Sequence, residues 1–211
     1  MFVKTLLFDP GTFFEENPWA DDLAAATGVV VLTALVTVVN LLLMGLIFAQ
    51  KIDATVTHNG QQVSADSVLW DVFLGQLPVV FIAAIVGWVL VTAVLHIGIK
   101  LADGEGTFGD SLRITGWATI PTIFTAFLVT GSVYLTLRGQ PISSSPEQFV
   151  GLVQRMQGGA GILGVLISLV SVGWQGYIWA FGMKEFHELE PDTALLIAGI
   201  VAFLLFITSV V

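Results

Sequence analysis

Three polar side chains sit inside long apolar runs of this chain: Asn40, His96 and Gln175. In hydrocarbon such groups either hydrogen-bond to a neighbouring helix or line a path for an ion or a proton. The tie between helices is the favoured reading of each, and a polar path shared by all three is the alternative. A second cluster, His187, Glu188 and Glu190, has donors that could hold a cation. Pro191 stands where an HExxH zinc-protease pattern needs its second histidine, so a solvated acidic loop is expected there. His58 is read as the solvated end of a short strand. The chain has no cysteine, which removes disulfides and thiolate chemistry. Nucleophile-elbow and phosphate-loop patterns are absent, as are paired aspartates within the apolar runs. No catalytic, cofactor-binding or metal-ligating residue is expected, and the chain does not read as an enzyme.

Composition says what positions these groups. The 211 residues are 55% hydrophobic and only 11% charged, against about 25% charged in soluble domains. Mean hydropathy is +0.91. This is the composition of an all-α integral membrane protein. Five transmembrane helices are expected over 23–49, 79–99, 117–137, 161–183 and 194–211, in a single domain spanning 1–211. Net charge is −9. That excess of acid argues against nucleic acid or anionic lipid as a partner, since both need basic patches. It also fits a salt-adapted host.

The segments between spans carry local signals. Asp9-Pro10 reads as a helix cap followed by a first helical residue. With Phe13, Phe14 and Trp19 it suggests an interfacial segment whose aromatic rings lie at headgroup depth. Alternation from Ile52 to Ser64 around Asn59-Gly60 predicts a small extramembrane β-hairpin. From Asp66 an apolar helical face begins, and a break near Gly75 to Pro78 is expected before the second span. Glu147 to Met156 reads as another short helix. Ala160, Gly164 and Ser168 recur every fourth residue, with Gly173 and Gly176 beyond them. Such a stripe lets a helix approach closely, either within the chain or in a homodimer.

Gly104 to Pro121 joins the second span to the third. Gly104 and Gly106 permit a sharp turn, and Thr107 with Asp110 fits a capping box at a helix start. Thr107, Phe108, Leu112 and Arg113 are the candidate exposed anchors for a protein partner. Five spans place the termini on opposite sides. The N-terminal side has four basic and twelve acidic residues, and the other side three and four. The basic residues alone do not orient the chain.

This layout resembles the Ypt/Rab-interacting-protein (Yip) domain family over the whole chain. The resemblance rests on Asp9, Pro10, Phe13 and Phe14, then five spans, then the element Gly116, Trp117 and Pro121 after a glycine-containing connector. Tyrosine is common in the family where this chain has Trp117. The acidic composition looks like that of a haloarchaeal, hence archaeal and halophilic, member. The resemblance implies a non-enzymatic membrane protein acting in membrane organisation or trafficking, with its N-terminus cytoplasmic and its C-terminus outside the cell membrane. Eukaryotic members bind Rab-type GTPases. Their Asp-Leu-Tyr-Gly-Pro element is missing here, so a scaffold or adaptor is what carries over. A small transporter or channel built on Asn40, His96 and Gln175 is the alternative.

Overall fold

The computed structural model describes residues 2–53, 55–58, 61–140, 145, 148, 151 and 161–210. Two short helices, α1 (Phe2–Phe8) and α2 (Pro10–Glu16), precede α3 (Leu23–Ala49). Strands β1 (Thr55–His58) and β2 (Gln61–Ser64) follow, then α4 (Ala65–Leu101), α5 (Phe108–Trp117) and α6 (Ile120–Arg138). The chain closes with α7 (Gly161–His187) and α8 (Pro191–Val210). Among the described residues, five stretches are long and apolar enough to cross a membrane: Leu23–Ala49, Ala65–Leu101, Phe108–Arg138, Leu163–His187 and Pro191–Thr208. The protein is a multi-pass, helical membrane protein, and its partner over most of its surface is the bilayer. Leucine, isoleucine, valine and phenylalanine side chains remain exposed along all five spans, as lipid-facing helices require.

The hairpin forms as the alternation predicts. Thr55 pairs with Ser64 and His58 with Gln61 in antiparallel register. The expected Asn59-Gly60 turn lies outside the described residues, as does most of the helix expected over 147–156.

One expectation is overturned at α4. It runs unbroken for 37 residues with Pro78 inside it, about 55 Å at ~1.5 Å per residue. That exceeds a hydrocarbon thickness of ~30 Å, so the helix extends beyond the core of the bilayer. A proline removes one helix hydrogen bond, and membrane helices tolerate this without a break.

The chain divides into two compact units. Unit 1 comprises Met1–Ala34, Ala83–Thr125 and Ser168–Val211, and unit 2 comprises Leu35–Ile82 and Ala126–Ile167. Unit 2 has a small apolar cluster of Val133 and Leu137 packed by Met44, Ile47 and Phe48. The main core is in unit 1. It gathers Leu6, Phe13, Leu95, Ile114, Trp117, Ile178, Trp179 and Ile197. Asp9 caps α2 as expected, accepting from the Thr12 amide, with Pro10 in the first turn.

Phe13 and Phe14 depart from the expectation of headgroup depth. Both are buried: Phe13 meets Trp117 edge-on at 5.1 Å, and Phe14 meets Phe186 at 5.7 Å. Only Trp19 and the α1 rings Phe2 and Phe8 stay exposed. The N-terminal helices are thus part of the core. Trp174 Nε1 donates to the Leu7 carbonyl at 2.8 Å, satisfying one of the free acceptors at the end of α1.

Trp174→Phe should remove that bond and keep the ring. We expect a loss of about 1 kcal/mol in the docking of α1. Limited proteolysis checks it: cleavage within residues 2–8 should accelerate while the spans stay protected.

Candidate functional site

The site is built where α4, α5, the 102–107 turn and the end of α7 meet in unit 1. Four residues at four-residue spacing, Trp88, Thr92, His96 and Lys100, make a polar stripe along one face of α4. Ser111 and Thr115, one turn apart on α5, face that stripe. Trp88 Nε1 donates to Thr115 Oγ1 at 3.0 Å, and Thr92 and Thr115 share a 2.6 Å hydroxyl contact. His96 Nδ1 lies 2.9 Å from Ser111 Oγ. The same oxygen lies 3.0 Å from His187 Nε2 at the end of α7.

The turn into α5 is held from both sides. Lys100 Nζ donates to the carbonyls of Gly104 and Gly106 at 3.0 and 2.9 Å. The Glu105 amide donates to the His187 carbonyl, and the Glu105 carbonyl lies 2.5 Å from His187 Nδ1. Gly106 has φ +76, and a Cβ there would fall 2.6 Å from His187 Nδ1. Glycine is required on both counts. Gly104 is buried close against Ile99.

The capping box forms as the sequence predicts. Thr107 Oγ1 accepts from the Asp110 amide, and Asp110 accepts from the Thr107 amide at 2.7 Å. Arg113 closes on Asp110 at 2.5 Å. Of the four candidate anchors, Thr107 and Phe108 are exposed, whereas Leu112 and Arg113 are half-buried. The ring of Phe108 also lies 5.4 Å from that of His96.

Gly116, Trp117 and Pro121 are all buried. A Cβ on Gly116 would meet the Cβ and carbonyl oxygen of Ala26 at 3.1 Å, so this glycine sets the approach of α5 to α3. Trp117 stacks edge-on against Phe2 and Phe13. Pro121 has no N–H to offer the Trp117 carbonyl, and α5 gives way to α6 across Ala118 and Thr119.

The three intramembrane polar groups have local partners. Asn40, in unit 2, donates to the Val36 carbonyl and accepts from Thr130 at 2.8 Å. Gln175, in unit 1, donates to the Ser171 carbonyl at 3.4 Å, and Ser171 meets Thr125 on α6. His96 belongs to the α4–α5 seam. Among the small residues, a Cβ on Gly176 would stand 3.2 Å from the Ala202 Cβ on α8, while Gly164 and Gly173 face open space. Ala160 lies outside the described residues.

His187 overturns the expectation of a solvated loop. It ends α7 fully buried, while Glu188 and Glu190 stay exposed. No grouping of three metal-ligating side chains occurs among the described residues. Ser111 was missed by sequence reasoning, and His187 was read only as part of an acidic loop. The i, i+4 polar stripe on α4 and the matching Ser111/Thr115 pair were signals that could have found the seam, but nothing local marks His187.

A family model described as the Yip1 domain matches residues 4–211. No curated protein and no solved structure gives a significant match.

Gly116→Val should cost ~1–3 kcal/mol, because the Ala26 backbone cannot yield as a side chain would. Gly131→Val, with open space around its Cβ, should change little. Thermal unfolding of the two purified variants in one detergent makes the comparison.

Proposed function

Because the chain belongs to the Yip1 domain family, whose members are linked to membrane trafficking, we propose that it is a non-enzymatic scaffold or adaptor that recruits a protein partner through the start of α5. Residues 1–211 then act as one five-span domain, with the N-terminus cytoplasmic and the C-terminus outside. That orientation puts the 102–107 turn and α5's first turn on the cytoplasmic face.

The observation that carries this reading is the exposure of Phe108 on a rigid base. The residue is 38% exposed, yet the helix that bears it is capped at Thr107 and buried at Ser111, Ile114 and Trp117. A large apolar side chain at the tip of a locked element is a preorganised anchor, which loses little entropy on binding. Asp103 and Glu105 are exposed beside it. A partner of fitting chemistry has an apolar pocket flanked by basic side chains. Thr107 and Arg113 support the surface through their bonds to Asp110, and Leu112 forms its half-buried edge.

Crosslinked affinity capture from native membranes, read by quantitative mass spectrometry, tests the surface. Phe108→Ala should deplete a specific partner at least about tenfold, the effect of losing one interface anchor. Its level in the membrane should be unchanged. Adding Arg113→Ala should deepen the loss. Equal capture by wild type and both variants would sink the proposal.

A further inference from the structure

The hydrogen bonds at the end of the α4–α5 seam have a direction. The Glu105 carbonyl can only accept, so His187 Nδ1, 2.5 Å away, carries a hydrogen. In a neutral ring His187 Nε2 is then an acceptor, and Ser111 Oγ donates to it across 3.0 Å. The serine has no second hydrogen. His96 Nδ1, 2.9 Å from the same oxygen, must therefore donate to it. With both rings neutral, every group along Glu105, His187, Ser111 and His96 has its partner.

One added proton fits this chain. Taken up on His96 Nε2, at the partly exposed end, it leaves the three bonds as they are. It can also cross. His96 Nδ1 passes its proton to Ser111 Oγ while the serine's original proton goes to His187 Nε2. The serine keeps one hydrogen throughout, His96 ends neutral and His187 ends as the imidazolium.

A second proton does not fit. Both rings would then aim N–H at Ser111 Oγ, and the serine's own hydrogen would lose its acceptor in a buried site. Two imidazolium rings would also face each other with centroids 6.0 Å apart. The other charges acting on the pair are Lys100 on α4, which opposes positive charge, and Asp110 on α5, which favours it. Asp110 is already engaged by Arg113. Lys184, Glu185 and Glu188 around the end of α7 are exposed to solvent.

We propose that His96, Ser111 and His187 form a proton-binding relay that holds one proton at most. The relay stands whether or not α5 recruits a partner.

The test uses the full chain in lipid nanodiscs, with histidine side-chain nitrogens followed by NMR through the ordinary histidine range, about pH 8 to 5. At high pH both rings should show hydrogen on Nδ1, the less common tautomer. On acidification the signals of both rings should move together through one shared step. Ser111→Ala should split that step into two independent titrations. His96→Gln keeps a donor toward Ser111, so it should preserve the His187 tautomer while abolishing the shared step. Hydrogen on Nε2 of both rings, or wild-type rings that titrate as independently as those of Ser111→Ala, would overturn the relay.

Discussion

Hydrocarbon offers no hydrogen-bond partner, and the rest of this structure follows from that one lack. Most polar side chains within the spans find their bonds inside the protein, the buried indole N–H groups of Trp117 and Trp179 being exceptions among the described residues. Threonine hydroxyls therefore fold back onto carbonyls of their own helices, as Thr33 does to Val29 and Thr92 to Trp88. Several then reach a second helix with the same oxygen. Thr33 meets Thr119, Thr92 meets Thr115, and Thr125 meets Ser171. Each tie is weak, about 0.6 kcal/mol on average in membranes. Their value lies in register, because a helix that slid by one residue would break several of these ties at once.

The connector between α4 and α5 obeys the same rule at the edge of the bilayer. A turn that packs against buried helices cannot leave its carbonyls bare. Lys100 serves two of them, and His187 serves the third from a helix over 80 residues further along the chain. Glycine at 104 and 106 is what lets the backbone come close enough. The turn, the buried histidine and the capping box are consequences of a single problem, which is how to satisfy backbone polar groups where α4 ends.

What the sequence made legible was whatever is settled within a few residues. The five spans follow from runs of apolar side chains, the Asp9 cap and Pro10 from adjacent positions, and the Thr107–Asp110 box from a spacing of three. The hairpin followed from alternation over a dozen residues. What failed depends on distant partners. Glu188 and Glu190 are exposed as an acidic loop should be, and only the neighbouring His187 turns inward, because Ser111 and Glu105 wait for it. Phe13 and Phe14 have the composition of an interfacial segment, yet Trp117 and Phe186 offer them apolar surface inside the protein. The break expected at Pro78 failed for a different reason: a membrane helix bears a proline at lower cost than a soluble one.

Close packing completes the argument for α5 as the pivot of unit 1. Lipid tails are as apolar as leucine, so burial alone drives helices together only weakly in a bilayer, and fit must do more. Gly116 lets α5 reach the Ala26 backbone on α3, and Gly182 on α7 accepts Ile114 from α5, where a Cβ would stand 2.7 Å from Ile114 Cγ2. On a third side Thr115 and Ser111 bond to α4. A ten-residue helix is thereby held by fit on two faces and by hydrogen bonds on another. Its N-terminal end cannot move without disturbing one of these contacts. That is why the exposed ring of Phe108 has a fixed position.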